Sequence, residues 1–362
     1  TYQSLLLLWA AALALSLFRI RFVCMAYAAA LLAVIKAVYT QMLVSLGWSA
    51  PWADEWIGGI DAGGLLALAG LLHLAEALLI RWRGDRMATP LFVESKRGKI
   101  VGAYHLFGLW VVPLLLLVPV PTGGLVLSWT SLFGAGVADS GFTLPWTPLF
   151  GEGVAEAGWA FLPFPVLLGF TDQTLTALPV QKSRHSANGL LLYALVVMAT
   201  GIAAHYWEPL LILAALVAAG LHEGLIWRGR REEEARSPLY IHDDRGLKVL
   251  AVLPSGPAKN MNVQTGEIIR KVNGRLVRTK EELHQALQIN PAFCKLEIIN
   301  LDGEPRFASH PIYAGDHHQL GIILCPDDDA LYYMVEKRQA GLISFIRRTL
   351  DGLVSNKQQQ TM

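Results

Sequence analysis

The chain contains His222-Glu223-Gly224-Leu225-Ile226, which starts like the helical zinc-hydrolase motif His-Glu-x-x-His. That motif works because histidines at i and i+4 share a helix face and ligate one ion while the Glu activates water. Here Ile226 stands at the second ligand position, and no complete copy of the motif occurs elsewhere. Lys36, Asp61, His73, Glu76, Asp172, His222 and Glu223 are ionisable residues inside long apolar segments. Each costs about 2.5–3.5 kcal/mol at a bilayer centre unless it is paired. His73 and Glu76, at i and i+3, share a helix face and form the best pair for an intramembrane polar site. The others are read as lying near helix ends or pairing inside a bundle. No nucleophile–base pair, phosphate-binding loop or metal-ligand spacing is found, so no catalytic residue, metal or cofactor is expected. Cys24, Cys294 and Cys325 are read as free thiols of a reducing compartment.

The elements that position these residues follow from hydropathy. Of 362 residues 53% are hydrophobic and 16% charged, against about 25% charged in ordinary soluble domains. The charge deficit lies before Arg228. A spanning helix needs about 20 apolar residues. Candidate spans are Ser4–Phe18, Phe22–Leu46, Ile57–Ile80, Val101–Val120, Trp159–Leu178, Gly189–Tyr206 and Pro209–Trp227. Basic residues fill alternate connections: Arg19 and Arg21; Arg81 to Lys99; Lys182 and Arg184; and Arg228, Arg230 and Arg231. The intervening connections hold acids and no Lys or Arg. The positive-inside rule then places the basic loops, and all that follows Arg228, in the cytoplasm of a multi-pass plasma-membrane protein. With seven spans Thr1 lies outside; one further upstream span would bring both termini inside. Pro121–Gly158, apolar and rich in Gly and Pro, is read as an external loop or a re-entrant hairpin. No basic block suggests nucleic acid as a partner.

After Arg228 the chain turns polar. A charged linker, residues 228–237, precedes a strand at Leu247–Leu253, the turn Pro254-Ser-Gly-Pro-Ala258 and a strand at Glu267–Val272. Asn273-Gly274 suits a type I′ hairpin turn, and Thr279 with Glu282 has capping-box spacing. Leu283 and Leu287 give the following helix an apolar face, and Lys295–Leu301 alternates as a strand. The order of Gly246-Leu-Lys-Val, Pro254-Ser-Gly-Pro-Ala258, Gly266-Glu-Ile-Ile269 and Val272-Asn-Gly274 resembles a PDZ domain of the bacterial type. That resemblance implies a groove between Leu247–Val252 and Glu281–Gln288 that takes a partner's extended tail by strand addition. Its groove residues would be Arg245, Gly246, Leu247, Lys248, Val249, Leu283, His284 and Leu287, with amides near Arg245–Leu247 receiving a terminal carboxylate.

The expected fold is an all-α polytopic bundle, residues 1–227, followed by a small α+β PDZ-like domain, residues 238–326, a strand-rich partial barrel with one groove helix. Residues 327–362 are expected to form an amphipathic helix at Val335–Val354 and a polar tail. His317-His318 is read as a loop. This order of parts, with Gly315-Asp-His-His-Gln-Leu-Gly321 after the module, resembles the MinJ family of division-site determinants. The resemblance implies a non-catalytic scaffold at septum and poles, bound to the lipid bilayer and bridging DivIVA to MinD. A protease gated by the module and a transporter using the intramembrane acids are the alternatives.

Overall fold

A computed structural model describes residues 2–95, 98–120, 158–290, 292–311 and 319–327. The apolar helices are α1 (Tyr2–Phe18), α2 (Met25–Ala37, prolonged by the wider turns of Val38–Leu43), α3 (Ala62–Arg83), α4 (Pro179–Tyr206) and α5 (Leu211–Ala235). Among the described residues four helical stretches are long and apolar enough to cross a membrane: Met25–Leu43, Pro51–Met87, Pro179–Tyr206 and Glu208–Ala235. The α1 helix is apolar but shorter. In lipid, helices associate by close backbone approach at small residues, and α3 and α4 do so. A Cβ at Gly63 would lie 2.6 Å from the His205 Cα, one at Gly70 2.7 Å from the Met198 nitrogen, and one at Gly201 2.6 Å from the Ala67 nitrogen.

Two expected spans are strands. With β1 (Ala88–Glu94), β2 (Ile100–Val120) and β3 (Gly158–Thr174) form an antiparallel sheet in the order β1-β2-β3. The physical reason is proline. Pro113 and Pro119 interrupt one segment and Pro163 and Pro165 the other; each would break a helix at about 3 kcal/mol. Pro113 instead faces Pro165 across the hairpin. β1 reaches only to Leu106, so beyond it both strands are outer strands, where a missing N–H is tolerated. The alternation has period two. Phe164, Val166 and Leu168 are buried in the helical core, while Phe107, Leu109, Val111 and Leu167 are exposed. Phe164 meets Trp9 of α1 edge-on. Residues 121–157, Lys96, Arg97, Gly315–His318, the expected helix at Val335–Val354 and the tail lie outside the described residues.

The expected linker is not a break in the chain. α5 continues through Ala235 and holds an Arg228–Glu232 ion pair at i, i+4. The second unit is a sheet in the order β8-β7-β5-β4-β9 with, among the described residues, one helix longer than a single turn. Its strands are β4 (Leu247–Val252), β5 (Ile268–Val272), β6 (Arg275–Leu276, paired with β5), β7 (Phe293–Ile299), β8 (Pro305–Pro311) and β9 (Ile322–Leu324). The helix is α6 (Lys280–Gln288). Asn273 and Gly274 both take positive φ at the β5–β6 turn, as a type I′ turn demands. Thr279 and Glu282 form the full capping box of α6.

A third core joins the two units. Tyr104 and Leu106 of β2 pack with Tyr240, Leu250, Ala251 and Cys325. The Gly102 amide donates to the Tyr240 carbonyl at 2.8 Å, and the Tyr104 hydroxyl donates to the Leu250 carbonyl. Beside it lies an ion triad. Lys182 Nζ, buried at the start of α4, sits 3.2 Å from Glu233 of α5 and 3.5 Å from Asp172 of β3. Glu233 also accepts from the Leu175 amide and the Thr176 hydroxyl.

Candidate functional site

The groove residues read from sequence come together around β4 and α6. β4 has neighbours on both edges: β5 at Leu247 and Lys248, β9 from Val249 to Val252. A strand paired on both sides cannot accept another. Leu247, Val249, Leu283 and Leu287 are buried in the domain core, and only His284 of the helix set is exposed. The amides near Arg245 are also occupied. Asp243 Oδ1 accepts from the Arg245 amide at 3.0 Å, and the Asp243 carbonyl accepts from the Gly246 amide at 3.1 Å. The Arg245 guanidinium, hydrogen-bonded to Asp243, holds that carboxyl down at about 2. Lys248 Nζ donates to the Leu239 carbonyl. These contacts hold the start of β4 in place.

The sheet ends in β8 on one side and in β9 on the other, and β9 is the terminal strand next to β4. Among the described residues β4 is its sole strand neighbour. The Cys325 amide donates to the Lys248 carbonyl of β4, and the Gly321 carbonyl accepts from Leu253, the residue just after β4. Because main-chain groups alternate along an antiparallel strand, those of Ile322 and Leu324 point the other way. α6 flanks this edge: Lys280 Nζ lies 3.9 Å from Asp327, and Leu283 and Leu287 share a core with Leu320 and Leu324. The turn Pro254–Ala258 seats the start of β9. The Leu253 amide donates to the Gly321 carbonyl, and the Ala258 amide donates to the Leu320 carbonyl. Gly256 and Gly321 stand back to back, so that a Cβ on Gly256 would fall 2.6 Å from the Gly321 Cα. Sequence reasoning singled out both segments and missed that they meet.

A polar cluster lies inside the helical unit. His73 and Glu76 do face one another, Nε2 to Oε2 at 4.0 Å, but they are part of a larger group. Cys24, at the start of α2, places Sγ 3.2 Å from His73 Nε2 and 3.8 Å from His222 Nε2. Tyr27 OH lies 2.8 Å from His222 Nδ1 and donates to Glu223 Oε1 at 2.6 Å. Arg21 pairs with Glu223 at 3.0 Å. Tyr193 of α4 packs edge-on against both imidazoles and donates to the Ala218 carbonyl. His222 lies six residues before Arg228, about 9 Å along the helix axis. Two further ionisable residues of the apolar segments also pair, Asp61 with His205 and Lys36 with Glu208. The other two cysteines lie in the sheet domain, where burial pushes the Cys294 and Cys325 thiols up to about 12.

Fold and geometry together define a membrane protein: a bundle of apolar helices that carries a sheet domain. Comparison with known proteins gives the family. The chain is 31% identical over 298 residues to the cell division topological determinant MinJ of Bacillus subtilis strain 168, covering 80% of this chain and 70% of that protein. It is 30% identical over 327 residues to probable cell division topological determinants MinJ of Lacticaseibacillus paracasei and of Lacticaseibacillus casei strain BD-II, covering 83% of this chain and 79% of each. The chain belongs to the MinJ family. No family model matches the sequence, and no solved structure matches it.

Proposed function

We propose that this chain is a membrane-anchored, non-catalytic scaffold for division-site placement that binds an extended partner segment along the outer edge of β9, beside α6. The observation that carries this reading is the sheet order, which leaves β9 terminal and flanked by a helix. Strand addition suits such an edge: main-chain bonds supply affinity, and pockets between strand and helix read alternate side chains. Family membership supports the division role, and the resemblance that gave the family first also names the partners, DivIVA and MinD. A Gly256→Val change tests it in the full chain. The added side chain drives the turn into Gly321 and displaces β9, an overpacking of about 1–3 kcal/mol. Co-purification of DivIVA and MinD, and localisation at division sites, should both drop at least about tenfold, while Arg275→Ala on β6 leaves them unchanged. Ile322→Pro, which removes one outward N–H, serves as a second variant should Gly256→Val fail to fold. A folded variant that recruits both partners at the wild-type level refutes the edge as the binding site.

The topology belongs to the same proposal. Two adjacent segments left the set of spanning helices together, so the parity of the charge rule is unchanged. Arg19 and Arg21, Arg81 and Arg83, Lys182 and Arg184, and Arg228 to Arg231 still share one side. The sheet domain then faces the cytoplasm. An Asp302→Cys variant, at an exposed turn, should resist a membrane-impermeant maleimide in intact cells and react after permeabilisation. Labelling from outside would invert the topology.

A further inference from the structure

We infer that Cys24, His73 and His222 form an intramembrane site for a zinc-class divalent transition-metal ion. Their ligand atoms all lie within 4.8 Å of one another. A tetrahedral zinc ion with Zn–S near 2.3 Å and Zn–N near 2.0–2.1 Å sets sulfur and nitrogen about 3.6 Å apart. The two Cys24–His distances, 3.2 and 3.8 Å, bracket that value.

The hydrogen bonding decides what the cluster wants. His73 Nδ1 lies 2.8 Å from the Ala69 carbonyl, which only accepts, so Nδ1 carries the proton. Tyr27 spends its hydroxyl proton on Glu223, so His222 Nδ1–H donates to the Tyr27 oxygen. Both Nε2 lone pairs therefore aim at Cys24 Sγ. A single thiol proton cannot satisfy two lone pairs, and this apposition calls for a cation between them. The pattern is that of metal-binding histidines, whose second nitrogen donates to a carbonyl or, through a relay, to a carboxylate. Glu76, with Oε2 4.0 Å from His73 Nε2, is outside this set of three and adds negative charge beside it. Three protein ligands from α2, α3 and α5 would tie those helices together. The set also explains why an incomplete His-Glu-x-x-His sequence holds its first histidine in place without the second.

The full chain, purified in detergent micelles, is loaded with Zn2+, desalted and analysed by elemental mass spectrometry. About one ion per chain is expected. Replacement by Co2+ should give a thiolate-to-cobalt charge-transfer band together with the d–d absorption of a tetrahedral site. Cys24→Ser should remove the band and weaken retention at least about tenfold. Cys24→Asp should keep the ion but lose the sulfur band, which tests the site even if the serine variant fails to fold. Cys294→Ser should change neither. Wild-type chain that holds no ion above the Cys24→Ser background, or that shows no charge-transfer band with cobalt, overturns the site and leaves a proton as the cation of the cluster.

Discussion

Lys182→Met should destabilise the full chain by about 3–5 kcal/mol, because it strands two carboxylates that share one buried cation. Lys182 is 5% exposed and lies within 3.5 Å of both Asp172 and Glu233. Methionine fills the volume but leaves the acids facing each other across a partly dry seam. The loss should concentrate at the junction of β3, α4 and α5, not in either core. Limited proteolysis should therefore cut near Leu175–Leu178 before it cuts the sheet domain. Adding Glu233→Gln should return part of the loss, since the amide oxygen can still accept from the Leu175 amide and the Thr176 hydroxyl. A single variant within about 1 kcal/mol of wild type would mean that water already screens the triad.

Arg306→Met should cost a similar amount, about 3–5 kcal/mol, inside the sheet domain. Glu267 is 3% exposed and accepts from Arg306 Nε at 2.9 Å, from Arg306 Nη2 at 2.6 Å and from the Gln264 amide at 2.8 Å. The pairing also lifts Arg306 above its ordinary value, chiefly through the hydrogen bond to Glu267. Without the guanidinium a buried carboxylate keeps only an amide donor. The damage should spread to β4, because the Glu267 carbonyl accepts from the Val249 amide and Gly266 donates to the Val249 carbonyl. Chemical denaturation of the full chain, followed by tryptophan-independent circular dichroism, measures it. The double variant Glu267→Gln/Arg306→Met should recover more than half of the loss. A double variant no better than the single one would show that Arg306 acts through packing and its bond to the Asn262 carbonyl.

What could be read from the sequence was local. Apolar length gave α1 to α5, although α4 starts ten residues before its expected span and α5 runs eight residues past its own, and turn and capping chemistry gave the β5–β6 hairpin and α6. The β2–β3 hairpin was misread as two helices because length and hydropathy are the same for both. Pro113, Pro163 and Pro165 were the signal that should have outweighed them. The free edge of the sheet was hidden for a different reason. Whether β4 or β9 is the outer strand depends on a pairing between residues 249–252 and 322–324, which no local pattern encodes. The same limit hid Cys24 from its partners. It lies 49 residues from His73 and 198 from His222, and a cysteine with no neighbour at ligand spacing reads as a free thiol. His73 and Glu76 were found because they sit one turn apart.

The third core, around Tyr104 and Tyr240, has a mechanical consequence. A recognition domain on a slack tether samples a hemisphere, and most of its encounters with a membrane-bound partner are wrongly turned. Here α5 runs unbroken from the bundle into the domain base, while β2 grips the same base from another side. On the reading proposed above, the β9 edge would thereby be carried at a set height above the bilayer and at a set compass bearing. A membrane-bound partner of the proposed edge would meet it in two dimensions, with the rotational search already largely done. Substitutions that slacken this joint, such as Lys182→Met, would lower recruitment without touching a residue of the edge.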